Sequence, residues 1–127
     1  MRVSVLLAED AELVRMAIRV LLSEHDDITL IGESARFSEA VRKAEKLLPD
    51  VIVLDLHMAE GANERLPTGP KLLAISFTND DEAKASADRM GAAKLLDKME
   101  LANELIPAIL ELAPAKTTQP VSDRTSP

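Results

Sequence analysis

Apolar residues fall in five short runs: 3–8 (VSVLLA), 29–35 (TLIGESA), 51–56 (VIVLDL), 71–77 (KLLAISF) and 94–97 (KLLD). The runs are continuous, not alternating, and the second is the weakest. Continuous runs of this length predict strands buried on both faces, as in a parallel sheet covered by helices. Between the runs the spacing changes. Residues 11–25 put Leu13, Ala17, Val20 and Leu21 on one face, with Arg15 and Arg19 elsewhere, which predicts an amphipathic helix. Residues 38–48 predict a second helix, with Ser38 as its N-cap and Pro49 just past its end. Residues 80–92 predict a third, opened by Asn79 or Asp80 and closed by Gly91. Residues 101–112 predict a last one. Pro107 fits it only if the helix begins near Asn103 or the chain kinks.

Strand and helix alternate, which implies right-handed crossovers and a doubly wound α/β layer. With 127 residues, one domain over 1–113 is expected. Residues 114–127 (PAKTTQPVSDRTSP) hold three prolines, five Ser/Thr and almost no apolar residues, so a disordered tail is expected there.

Composition narrows the function. A net charge of −7 and only two aromatic residues, Phe37 and Phe77, argue against direct nucleic-acid binding, which needs basic and stacking surfaces. No apolar run approaches bilayer-spanning length, and the first ten residues turn acidic too quickly for a signal peptide. Cysteine is absent, which excludes disulfides and thiolate metal sites and suits a cytoplasmic protein.

In open parallel sheets, ligands bind beyond the carboxyl ends of the strands. Polar residues are common there because loops begin there. The set found here is harder to dismiss. The first strand ends in Glu9 and Asp10, the third in Asp55, the fourth in Ser76 and the fifth in Lys98, while the second offers Glu33 and Ser34. Two carboxylates about 5 Å apart repel by roughly 3 kcal/mol at an effective dielectric near 20, so three need a cation or shifted pKa values. A hard divalent ion such as Mg²⁺ answers that need and keeps positions open for phosphate. Asp55 could then act as a nucleophile toward a phosphoryl donor, with Lys98 and the Ser76 hydroxyl on its oxygens.

The pieces LLAED, VIVLDLHM, AIS and MGAAKLLDK, in this order and on these strands, resemble the receiver domain of bacterial two-component response regulators, over residues 1 to about 113. The resemblance implies a flavodoxin-like sheet of order 2-1-3-4-5 and phosphotransfer from a sensor histidine kinase or phosphotransfer protein. It implies Asp55 as phosphoacceptor, Asp10 as a direct Mg²⁺ ligand, Glu9 as a ligand through water and the His57 backbone carbonyl as a further ligand. Ser76 becomes the switch hydroxyl and Lys98 the phosphate-sensing lysine. Such a domain catalyses its own phosphorylation and slow autodephosphorylation, but is chiefly a switch. Its output would be contact with an unknown downstream protein, with homodimer formation open. The family's usual output face maps here to residues 83–88 and 102–109.

Four departures stand out. Between Asp55 and Ser76 lie only 20 residues, broken by Gly61, Pro67, Gly69 and Pro70, so the family's third helix is expected to shrink to a turn or loop. Phe77 follows the switch hydroxyl where the family has a small residue. Its ring could lie over the acceptor and slow phosphoryl entry and water attack, or pack against the following helix. Leu95 replaces the family's switch aromatic. Met99 follows Lys98 where the family has a proline across a cis bond, so either a strained bond is held there or Lys98 enters by another backbone path.

Two other functions compete. A pseudo-receiver would keep the fold as a phosphorylation-independent docking module, with no need for the acid cluster. An Mg²⁺-dependent phosphohydrolase resembling the haloacid dehalogenases would carry its nucleophile on the first strand in an Asp-x-Asp pattern, which is not found here. His57 beside Asp55 suggests a transition metal, but no second histidine is near it in sequence.

Overall fold

The computed structural model describes residues 2–114. Five parallel strands form one sheet in the order β2-β1-β3-β4-β5. They are β1 (Val3–Ala8), β2 (Ile28–Ser34), β3 (Val51–Asp55), β4 (Lys71–Ser76) and β5 (Lys94–Asp97). Four helices cover it: α1 (Glu12–Ser23), α2 (Phe37–Leu47), α3 (Asp81–Arg89) and α4 (Leu101–Leu112). This is the doubly wound layer expected from the alternating pattern, in the flavodoxin-like strand order that the receiver resemblance implies. All but Pro114 of the tail expected at 114–127 lies outside the described residues.

The sheet separates two apolar layers. On one face Val5, Leu7, Val53 and Ile75 meet Ile18 and Leu22 of α1 and Leu105 and Ile109 of α4. On the other, Leu6, Ile52 and Leu54 meet Phe37, Ala40 and Ala44 of α2, and Ala74 meets Ala83 and Ala87 of α3. All five residues of β3 are buried, which is why its sequence is an unbroken apolar run into Asp55. Gly32 lets α2 approach β2 closely. A Cβ there would meet Leu6 Cδ1 at 3.1 Å and Leu47 Cδ1 at 3.2 Å.

Several local expectations are corrected. The buried residues of α1 are Ile18 and Leu22, with Val14 and Leu21 packed beside them, whereas Leu13 and Val20 are exposed. Ser38 lies inside α2, whose N-cap is Arg36 with no side-chain cap bond. Helix α4 begins at Leu101, not Asn103, and runs through Pro107. Pro107 and Asn103 both face solvent, so water can serve the Asn103 carbonyl that has no N–H from residue 107 to accept. By contrast, Asp80 caps α3 by accepting from the Ala83 N–H at 2.9 Å, and Gly91 follows that helix at φ +79°, as its sequence position implies.

The crossover from β3 to β4 holds no α-helix. A single 3₁₀ turn, Leu56–Ala59, follows Asp55, and the chain then runs without regular structure to Lys71. Phe37, Ile52, Leu72 and Met90 floor a cleft under that segment, which Arg65 and Arg89 flank.

Candidate functional site

The carboxyl ends of β1, β3, β4 and β5 open on a cleft of about 340 Å³ lined by Glu9, Asp10, Asp55, His57, Ser76, Phe77, Thr78 and Lys98. Parallel pairing aligns these ends. Ala8 is level with Leu54, Asp55 with Ile75, and Ser76 with Asp97. These four strands therefore end at the same rim.

Glu9 is fully buried, and Asp55 is 3% exposed. The backbone of Glu9 is fixed on both sides. Its N–H donates to the Ser34 carbonyl at 3.0 Å, and Arg15 Nη1 donates to its carbonyl at 2.8 Å. Its Oε2 accepts from the Ala11 N–H at 3.0 Å. Glu9 Oε1 has no hydrogen bond, but the Lys98 ammonium stands 2.9 Å from it. The same ammonium lies 3.4 Å from Asp55 Oδ1, which also accepts from the His57 N–H at 3.1 Å.

Burial, and after it the Glu9 carboxylate, push Asp55 up to about 6, while Lys98 and the His57 N–H pull the other way. A carboxylate oxygen from each of Glu9, Asp10 and Asp55 falls within 4.8 Å of the others. One ammonium does not balance three carboxylates, and the buried Glu9 Oε1 still lacks a hydrogen bond. An all-oxygen set with an under-satisfied buried oxygen fits a hard divalent cation.

Glu9, Asp10, Asp55, His57, Ser76 and Lys98 all line this cleft, although not all in the expected pose, whereas Glu33 and Ser34 at the end of β2 do not. The Ser76 hydroxyl accepts from the Thr78 N–H at 3.1 Å and lies 3.3 Å from Thr78 Oγ1. The His57 carbonyl accepts from the Glu60 N–H at 3.2 Å, and its exposed ring lies 3.2 Å from Glu60 Oε1. Lys98 opens a 3₁₀ turn, Lys98–Glu100, in which Asp97 caps the Met99 N–H at 2.8 Å. Every peptide bond among the described residues is trans. Lys98 therefore reaches the acids along its own backbone path. Leu95 is half-buried against the apolar layer under α3, so an aliphatic side chain stands where the resemblance implies an aromatic one.

Arg15 was missed. Its signal was available: it is a cation in the first turns of a helix, where the dipole disfavours positive charge unless a partner compensates. Glu33 is that partner at 3.5 Å, and Glu33 is also held by Arg19 at 2.7 and 2.9 Å. Glu33 is thus occupied by the two arginines of α1 and takes no part in the cleft.

No protein-family model matches the chain. It is 36% identical over 115 residues to the transcriptional regulatory protein LiaR of Bacillus subtilis, a match covering 84% of this chain and 54% of LiaR. It is 35% identical over 96 residues to the response regulator protein VraR of Staphylococcus aureus, covering 69% of this chain and 46% of VraR. The chain spans about half the length of these relatives. Among solved structures, the signal receiver domain of NarL from Mycobacterium tuberculosis superposes with a TM-score of 0.76 at 24% identity, covering 87% of this chain and 94% of that one. The non-phosphorylated receiver domain of RcsB from Escherichia coli gives 0.75 at 16% identity, covering 88% and 93%.

Proposed function

This chain belongs to the receiver-domain family of response regulators, and from that premise we propose that Asp55 accepts a phosphoryl group from a sensor histidine kinase or phosphotransfer protein. One observation carries the reading. Glu9, Asp10 and Asp55 bring carboxylate oxygens within 4.8 Å of one another, and a buried lysine reaches two of them. A fold with no use for this cluster has no physical reason to hold three acids together.

Glu9, Asp10, Asp55 and the His57 carbonyl would hold Mg²⁺, with Glu9 acting through water. The ion supplies charge neutralisation for the acids and for phosphoryl oxygens. The chain's own groups do the rest. An Asp55 carboxylate oxygen forms the bond to phosphorus as the bond from phosphorus to the donor breaks, leaving the electron pair on the donor. Lys98 exchanges its carboxylate partners for a phosphoryl oxygen. Ser76 gives up Thr78 and donates its hydroxyl to another. The added charge and acceptors bias the loops at the rim, which is how a local event becomes a signal. Output is by protein contact, with Lys84, Ala85 and Asp88 of α3 and Ala102, Asn103, Glu104 and Pro107 of α4 as the exposed positions on the family's usual face. The activity is that of a cytoplasmic switch more than of a turnover enzyme. No described helix is long and apolar enough to cross a membrane.

The test is intact mass after incubation with acetyl phosphate and Mg²⁺. A gain of about 80 Da in the wild type and none in Asp55→Asn supports the reading. No gain at saturating donor favours the second reading, a phosphorylation-independent docking module, toward which the loss of the third helix and the ring at Phe77 point.

A further inference from the structure

Phe77 is the first residue after β4 and is 60% exposed. It belongs to none of the three apolar clusters, so it does not serve the core. Its ring centroid lies 4.8 Å from Lys98 Nζ, inside the range of a cation–π contact. Lys98 is only 6% exposed at its side chain, and its ammonium also lies 2.9 Å from Glu9 Oε1 and 3.4 Å from Asp55 Oδ1. The ring and the two carboxylates thus share one buried cation. Phe77 and Lys98 also line both the acid cleft and the neighbouring apolar groove bordered by Leu13, Met99 and Ala102. Together they form the wall between the two.

We propose that Phe77 is a side-chain lid on the acceptor cleft, held closed by the Lys98 ammonium, that limits how fast water and small phosphoryl donors reach Asp55. The part concerning donors rests on the phosphoacceptor reading; the covering of Lys98 does not. An exposed ring needs only side-chain rotation to swing aside, and the contact with Lys98 weights it toward the closed position. In hydrolysis, a water oxygen bonds to phosphorus, the phosphorus–oxygen bond to Asp55 breaks, its electron pair returns to the carboxylate, and the water proton leaves with inorganic phosphate. A lid slows that step by excluding the water. It slows donor entry for the same reason, so both rates move together. Phe77 acts through Lys98 and through exclusion of solvent; it is a positioning residue.

Two measurements test this. The first uses the unphosphorylated protein, with acetic anhydride as an amine-acylating probe read by peptide mass. Lys98 acetylation is scaled to exposed Lys71 in the same sample. Phe77→Ala should speed Lys98 labelling about tenfold, the order expected when a desolvated cation–π contact is lost, and Phe77→Tyr should restore the wild-type rate. The second measures the lifetime of the phosphorylated protein and its rate of loading by acetyl phosphate. In Phe77→Ala the lifetime should shorten and loading should quicken by similar factors, with Phe77→Tyr again like the wild type. The ring's exposure means that Phe77→Ala should fold normally, which thermal melting checks. Lys98 labelling in Phe77→Ala within twofold of wild type would overturn the lid. Faster labelling with no phosphoryl adduct in any variant leaves the ring covering Lys98 and overturns the phosphoacceptor reading instead. Faster labelling with unchanged phosphoryl lifetime and loading would overturn the control of access.

Discussion

Lys98 Nζ rests 2.9 Å from Glu9 Oε1, in a pair whose side chains are 6% and 0% exposed. A cation and an acid this deeply buried depend on each other. The pair costs desolvation to form, but removing one partner leaves an uncompensated charge, which is worse. The ammonium also lies beside Asp55, so its loss strands both buried carboxylates.

Lys98→Met should therefore lower unfolding free energy by about 3 kcal/mol in metal-free buffer at pH 7. Urea denaturation with a chelator present measures this. A loss below about 1 kcal/mol, the size expected of a surface pair, would mean that Lys98 is not the counter-charge described here.

The raised value of Asp55 makes stability depend on pH. Its native value is pushed up to about 6, whereas an aspartate in the unfolded chain titrates near 4. Between these values the native state holds a proton that the unfolded state has released. Stability conferred by that proton is present in full below about pH 4 and is lost as pH rises through about 6. Asp55→Asn removes the dependence. In metal-free buffer it should match the wild type near pH 4 and exceed it by about 2–3 kcal/mol at pH 7. Parallel pH profiles for the two proteins would contradict the assignment.

Divalent cations should act in the opposite sense. Added Mg²⁺ should raise the thermal midpoint of the wild type at pH 7, by an amount equivalent to about 3 kcal/mol at a hundred times the dissociation constant. Asp10→Ala and Asp55→Asn should each blunt the gain, while Glu33→Gln, whose carboxylate is held by arginines away from the cleft, should keep it. Equal shifts in all four proteins would show that the ion binds elsewhere.

Arg15→Ala tests the support behind the acids. The guanidinium holds the Glu9 carbonyl at 2.8 Å and faces Glu33 at 3.5 Å. Its loss should cost about 1–2 kcal/mol of stability and weaken Mg²⁺ binding without abolishing it. Calorimetric titration distinguishes this from an effect on stability alone.

The three central strands, β1, β3 and β4, were legible because they are buried on both faces, which writes itself as an uninterrupted apolar run, whereas the half-buried edge strands β2 and β5 gave weaker or shorter ones. Glu9 and Asp55 were legible for a related reason, since each is the first charge after such a run, and Lys98 follows directly on the last residue of β5. Helix α1 shows where reading fails. Leu13, Val14, Ala17, Ile18, Val20, Leu21 and Leu22 supply more apolar positions than one face can bury, and the packing of α1 on the sheet and α4 selects Ile18 and Leu22 over Leu13 and Val20. The N-cap of α2 was misplaced because Ser38 looks like a cap, while Phe37 must enter the helix to reach Ile52 and Leu54. The tight association of Ser76 with Thr78, and the ring of Phe77 over Lys98, depend on how one loop turns after β4, which spacing does not encode.

The bare crossover between β3 and β4 divides the chain in an unusual place. Residues 60–65 are exposed throughout, and no covering helix would be cut by a break among them. One fragment would carry β1, β2 and β3 with α1 and α2, and the other β4 and β5 with α3 and α4. They would meet along a five-residue parallel register from Val51 and Lys71 to Asp55 and Ile75. Nicking here should leave two complementary halves that reassemble, with Glu9, Asp10 and Asp55 on one piece and Ser76 and Lys98 on the other, so recovery of the cleft would report their association.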